Sequence, residues 1–155
     1  MSNFSKHDHS ACVASALKAA ETYCAASKLQ FTPVRRRALE ILLSEHKAMG
    51  AYDMLARLAK DGLGSGPPVA YRALDFLVTH GFAHKIEKLN AYIACAHPGE
   101  DHDPAFMICR SCDAVAEAPT NPQAGQLGRA AQKAGFKIEH AVIEAEGICP
   151  ACAPS

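Results

Sequence analysis

Tryptophan is absent from this chain of 155 residues, and only 6% of its residues are aromatic. A core built on stacked rings is therefore excluded. Hydrophobic residues still make up 49%, so aliphatic side chains must fill the interior. Net charge is also missing, because 16 Lys and Arg balance 16 Asp and Glu. That balance excludes a uniformly basic surface, yet it is uneven along the chain. Residues 1–88 hold 12 basic against 8 acidic side chains, a net of +4, and residues 89–155 hold 4 against 8, a net of −4. Long apolar runs are lacking too, and the opening "MSNFSKHDHSAC" carries no signal-like stretch. The expectation is a cytoplasmic protein with no membrane contact. A phosphate loop is also missing. "GLGSGPP" has glycines, but a helical pattern precedes it where that motif needs a strand, so it reads as a linker.

What is present falls into two patterns. Residues 12–28 are rich in helix formers. In "FTPVRRRALEILLSEH", Thr32 can cap and Pro33 suits the first helical position. Val34, Ala38, Ile41 and Leu42 make its buried stripe, leaving Arg35 and Arg36 outside. "AYDMLARLAKDG" is a third helix that stops at Gly62. Pro67 and Pro68 open a fourth, which Gly81 ends. Its buried stripe is Ala70, Leu74, Leu77 and Val78, with Tyr71, Arg72, Asp75 and Thr79 on the opposite face. "FAHKIEKLNAYIAC" alternates across a turn at residues 88–90 and reads as a β-hairpin. Helices followed by a hairpin make a winged helix-turn-helix pattern. The second half reads as a strand "AFMIC", a knuckle "CRSC", a strand "AVAEA", a helix ending at Gly135, and a long strand through "FKIEHAVIEAEGIC". The fold class is α+β. The expected domains are residues 1–88, with 1–11 a loose tail, a hinge and metal loop over 89–104, and a second α/β domain over 105–155.

Seven cysteines, an odd number, occur without an export signal, which favours metal binding over disulfides. Cys109 and Cys112 form one Cys-x-x-Cys pair, and Cys149 and Cys152 form another. Each turn presents two sulfurs on one side, so two turns can close a tetrahedral shell around Zn²⁺. A thiol redox protein using the same pairs is the rival reading. That chemistry calls for a Cys-x-x-Cys that follows a strand and opens a helix, and no helix follows "CPAC". A zinc deaminase is excluded because no His-x-Glu segment joins either pair.

His84, Cys95, His102 and Glu117 form a weaker constellation. A hairpin turn centred near residue 89 sets His84 almost opposite Cys95. One sulfur, two imidazoles and a carboxylate suit Zn²⁺. On spacing alone the plainer reading is preferred: a buried cysteine, a solvated histidine loop and an exposed strand glutamate. Cys12 and Cys24 read as small apolar residues packed on the first helix, and His46 and His80 as helix-end residues. His140 reads as a core histidine. His7 and His9 lie in the polar tail. His97, Asp103 and His140 are the remaining candidates for a third metal site.

These motifs, in this order, resemble the ferric uptake regulator family of bacterial metal-sensing repressors, from about Leu29 to Cys152. "FTPVRRRALEILL" resembles the family's Thr-Pro-x-Arg helix, and "AYDML" its next helix. "PPVAYRALDFLVTHGFAHKIE" resembles its recognition helix and wing. "YIAC", "FMICRSCDAVAE" and "GICPAC" resemble its hinge and dimerisation domain. The zinc uptake regulator branch fits best, since Ile148 stands before Cys149 where many iron regulators have histidine. The resemblance implies an N-terminal winged helix domain and a C-terminal dimerisation domain. It implies two zinc ions per chain: structural zinc on Cys109, Cys112, Cys149 and Cys152, and sensory zinc on His84, Cys95, His102 and Glu117. Tyr52, Tyr71 and Arg72 match the family's DNA-contacting positions. The implied function is a zinc-responsive homodimeric repressor of zinc uptake genes that binds an inverted-repeat DNA operator. It is not an enzyme and takes no small-molecule substrate. An iron- or peroxide-sensing sibling is the alternative.

Overall fold

The computed structural model describes residues 10–45, 47–64, 66–99 and 102–154. Expectations for His7, His9 and His46 fall outside the described residues. The rest divides into two compact units, one running up to Gly99 and one from His102 onward.

The first unit is helical with a hairpin. Its elements are α1 (Ser10–Ala26), α2 (Pro33–Ser44), α3 (Ala51–Lys60), α4 (Pro67–Thr79), β1 (Ala83–Ile86) and β2 (Ala91–Ala94). Thr32 caps α2 as its sequence suggests, its Oγ1 accepting from the Arg35 backbone N–H at 3.3 Å. Ala38, Leu39, Ile41 and Leu42 are buried, and Val34 is only partly so. Arg35 departs from the expected outward position. Its guanidinium lies 3.9 Å from the centre of the Phe76 ring, a cation–π contact that ties α2 to α4. On α4 the buried residues are Ala70, Ala73, Leu74, Phe76 and Leu77, with Val78 at the margin. Gly81, at a φ of +78°, ends that helix in the left-handed conformation that glycine adopts without strain.

β1 and β2 pair antiparallel, with His84 opposite Ile93 and Ala83 opposite Ala94. The turn closes through the Asn90 backbone N–H donating to Glu87 O at 3.2 Å. Its centre falls slightly earlier than the sequence suggested. Cys95 is therefore a diagonal neighbour of His84, not its direct partner, and lies just past the end of β2. The Cys95 N–H donates to Phe82 O at 2.9 Å, which fixes its backbone. Since β2 is half of this hairpin, part of the expected 89–104 hinge belongs to the winged helix-turn-helix unit.

The second unit holds β3 (Asp103–Cys109), β4 (Val115–Thr120), α5 (Gln126–Lys133) and β5 (Ile143–Gly147). The sheet order is β4-β3-β5, with β4 antiparallel and β5 parallel to β3. The long strand expected over 136–147 forms only from Ile143. β5 pairs with Ala105–Cys109 of β3, and no strand among the described residues lies against 136–142. His140 falls in that stretch and is exposed, so it is not a core histidine. Cys12 is likewise exposed, whereas Cys24 is buried as expected.

Candidate metal centre and nucleic-acid interface

The four knuckle cysteines converge within the second unit. Cys109 ends β3, and a turn returns the chain to β4. The Cys109 N–H donates to Ala114 O and the Asp113 N–H to Cys109 O, each at 2.9 Å. Asp113 takes the left-handed conformation at a φ of +61° within the turn that leads into β4. Cys149 and Cys152 follow β5. The Cys152 N–H donates to Cys149 O at 3.0 Å, so this pair also sits on one tight turn. β5 runs beside β3, and the register Cys109↔Gly147 brings the two turns together. All four sulfurs lie within 4.8 Å of one another. The Cys112 and Cys149 sulfurs are 3.8 Å apart. A tetrahedral site with bonds of about 2.3 Å requires sulfur separations of about 3.8 Å.

The electrostatics suit a cation. The Cys109 thiol is lowered to about 6, chiefly because the Cys149 backbone N–H donates to its sulfur. That N–H to sulfur distance is 3.4 Å. Cys109 is therefore largely thiolate near neutral pH before any metal arrives. Cys152 moves the opposite way, to about 12, first through its hydrogen bond with the Cys149 side chain. The four thiols thus share their protons, and binding a metal releases them. Four sulfurs within 4.8 Å of one another, one pair at the tetrahedral separation and two on buried residues, fit Zn²⁺.

The other predicted ligands are positioned within each unit in turn. In the second unit, His102 Nε2 and Glu117 Oε1 lie 2.7 Å apart. Glu117 faces inward, opposite Phe106 in the β3–β4 register, and is 5% exposed. The exposed strand glutamate of the plainer reading is thus corrected. In the first unit, His84 and Cys95 share one side of the hairpin end, and Cys95 is 5% exposed. The His97 backbone N–H donates to Cys95 Sγ at 3.4 Å, a support that sequence reasoning missed. The signal was the Cys-x-His spacing, read only for side-chain ligands. The side chains of His97, Asp103 and His140 are exposed, and none joins a group of three or more candidate ligands among the described residues.

Tyr71, Arg72, Asp75 and Thr79 all lie on the exposed face of α4, and Tyr52 at the start of α3 is 70% exposed. The other arginines of this unit are occupied. Arg36 pairs with Glu21, Arg37 with Asp61 and Glu40, and Arg57 with Glu45. Arg35 covers Phe76. Arg72 has no ion pair among the described residues, so its guanidinium remains available to an outside partner.

Residues 26–146 match the model of the ferric uptake regulator family. The chain belongs to the ferric uptake regulator family. Within it, the zinc uptake regulation proteins of Escherichia coli (strain K12) and Shigella flexneri are each 39% identical to this chain over 137 residues, 88% of this chain and 80% of theirs. A solved zinc uptake regulator complexed with zinc and DNA is 38% identical, with a TM-score of 0.84 over 90% of this chain and 94% of that one. Holo XcZur is 34% identical, with a TM-score of 0.78 over 89% of this chain and 96% of that one. The family match begins at the end of α1, so most of that helix lies outside the matched segment.

Proposed function

We propose that this member of the ferric uptake regulator family is a zinc-responsive, dimeric transcriptional repressor of zinc uptake genes, acting in the cytoplasm. The observation that carries the reading is its likeness to a regulator solved with zinc and DNA, over nearly the whole of both chains. Regulation of this kind needs no catalytic residue, and none is assigned.

Two zinc ions serve two purposes. Cys109, Cys112, Cys149 and Cys152 hold a structural ion, a role supported by four sulfurs within 4.8 Å of one another and one pair at the tetrahedral separation. His84, Cys95, His102 and Glu117 hold the sensory ion. Support comes from the inward Glu117, its bond to His102, and the held sulfur of Cys95. A buried carboxylate beside an imidazole is costly without a cation to satisfy both. Zinc bonded to ligands from the hairpin and from the second unit favours one arrangement of the two, which is the DNA-binding one. Zinc then shifts the population, and DNA tightens zinc by the same factor.

The DNA surface is the exposed face of α4 with Tyr52, Tyr71 and Arg72. Arginine bonds guanine bidentately, and an aromatic ring touches a thymine methyl. Dimerisation runs through the second unit. α5 has no buried residue, and a cleft of about 380 Å³ is lined by Leu127, Ala131, Phe136, Ile138 and Val142. An apolar face beside an unpaired stretch suits a second copy, and two-fold symmetry matches an inverted repeat.

The test is binding to an inverted-repeat duplex under buffered zinc, with iron and manganese as controls. Zinc alone should switch binding on at low free concentration. Cys95→Ser should keep the structural zinc, fold and dimer but lose the zinc response. A Cys95→Ser protein that responds like the parent removes Cys95 from the sensory role. An iron response in place of zinc assigns the protein to the sibling class.

A further inference from the structure

Three of the exposed side chains on α4 suit DNA readily, and Asp75 does not. A carboxylate on a face that meets a polyanion weakens binding to every nearby phosphate. An ion pair is the ordinary way to hold such a group. Arg72 lies three residues earlier, a spacing at which helix side chains meet. Yet no ion pair or side-chain hydrogen bond engages Asp75 among the described residues. Glu21, Glu40, Glu45, Asp61 and Glu87 of the same unit all pair with a Lys or Arg. Asp53 does not, but it stands in the first turn of α3, where the helix dipole favours an acid. Asp75 lies in the body of α4 and has neither support.

Its position is also defined. Tyr92, buried in β2, has its phenol pushed up first by burial and then by the carboxylate of Asp75. Asp75 is exposed in the body of α4, on the face that carries Tyr71 and Arg72. Three residues of helix advance about 4.5 Å, little more than one base-pair step of about 3.4 Å.

We propose that Asp75 is a specificity-determining residue whose carboxylate accepts a hydrogen bond from an exocyclic amino group on a base edge, cytosine N4 being the best fit. The inference rests on the DNA-binding reading of α4. An ionised carboxylate only accepts. It bonds the cytosine amino group in the major groove and repels the acceptor edges of guanine and of thymine O4. The repulsion is itself informative, because it weakens binding to DNA that lacks the matching base.

The experiment uses the full-length zinc-loaded protein and a duplex that the parent selects from a randomised pool. Affinities of the parent, Asp75→Ala and Asp75→Asn are measured for that duplex, for its single base-pair variants and for a random duplex. Asp75→Ala should bind the random duplex more tightly, while its preference for the selected one falls by about 5- to 150-fold per half-site. The lost preference should lie at one base pair in each half-site. Asp75→Asn, which both donates and accepts, should move the preferred base there toward adenine. Selected and random duplexes shifting by the same factor in Asp75→Ala, with all base preferences intact, would overturn this inference alone. A parent that selects no sequence would overturn the DNA-binding reading and this inference with it.

Discussion

The two units solve the problem of burial in opposite ways. The first closes on itself. Leu42, Met54, Leu58, Leu74 and Leu77 are fully buried between its helices, and most of its exposed large apolar residues are tyrosines with a polar tip. The second buries little beyond Phe106, Ile108, Val115, Ala116 and two cysteines, while Leu127, Phe136, Val142 and Ile148 stay exposed. A small unit has too much surface for its volume, and natural small folds make up the difference with metal or association. The first unit is held by its own packing. The second leaves apolar surface that its small core does not cover, and carries four sulfurs within 4.8 Å of one another.

The contrast between the units is tested most strongly at the knuckle thiols. Cys149→Ser should lose the structural zinc and unfold the second unit, because zinc in such sites contributes about 10–16 kcal/mol of apparent binding free energy to folding. Metal content and thermal unfolding, followed separately for helical and strand signals, measure it. A variant that keeps both zinc and a cooperative second transition would break the comparison. Leu74→Ala should act in the other unit only. Removing a fully buried leucine costs about 2–5 kcal/mol, with zinc content unchanged. Loss of zinc in that variant would mean that the units are not energetically distinct. Thr32→Ala is the smallest, removing the cap of α2 at a cost of about 1 kcal/mol. Denaturant midpoints with an unchanged m-value would register it, and no change would show that solvent caps the helix equally well.

Much of the fold was legible because the signals are local. Thr32-Pro33 opens α2 and Gly81 closes α4 through backbone chemistry that needs no distant partner. The Cys-x-x-Cys turns declare metal chemistry in four residues each. The half-length β5 was not legible. "FKIEHAVIEAEGIC" has strand propensity throughout, yet a strand needs an edge to pair with, and only Ala105–Cys109 of β3 pair with it. Spacing alone puts Glu117 in solvent for a related reason, and only the resemblance makes it a ligand. Alternation along β4 does not say which face is covered, and a lone glutamate defaults to solvent.

The helices, the hairpin, the four knuckle thiols and the outward face of α4 follow from spacing and residue type over a few residues. Which residues meet across long separations depends on how the chain packs as a whole. That packing set the register that brings Cys109 beside Cys149, turned Glu117 inward against His102, moved Cys95 to a diagonal of His84 and drew Arg35 onto Phe76. Those contacts depend on strand register and helix packing, which are settled by the burial of all the other side chains together.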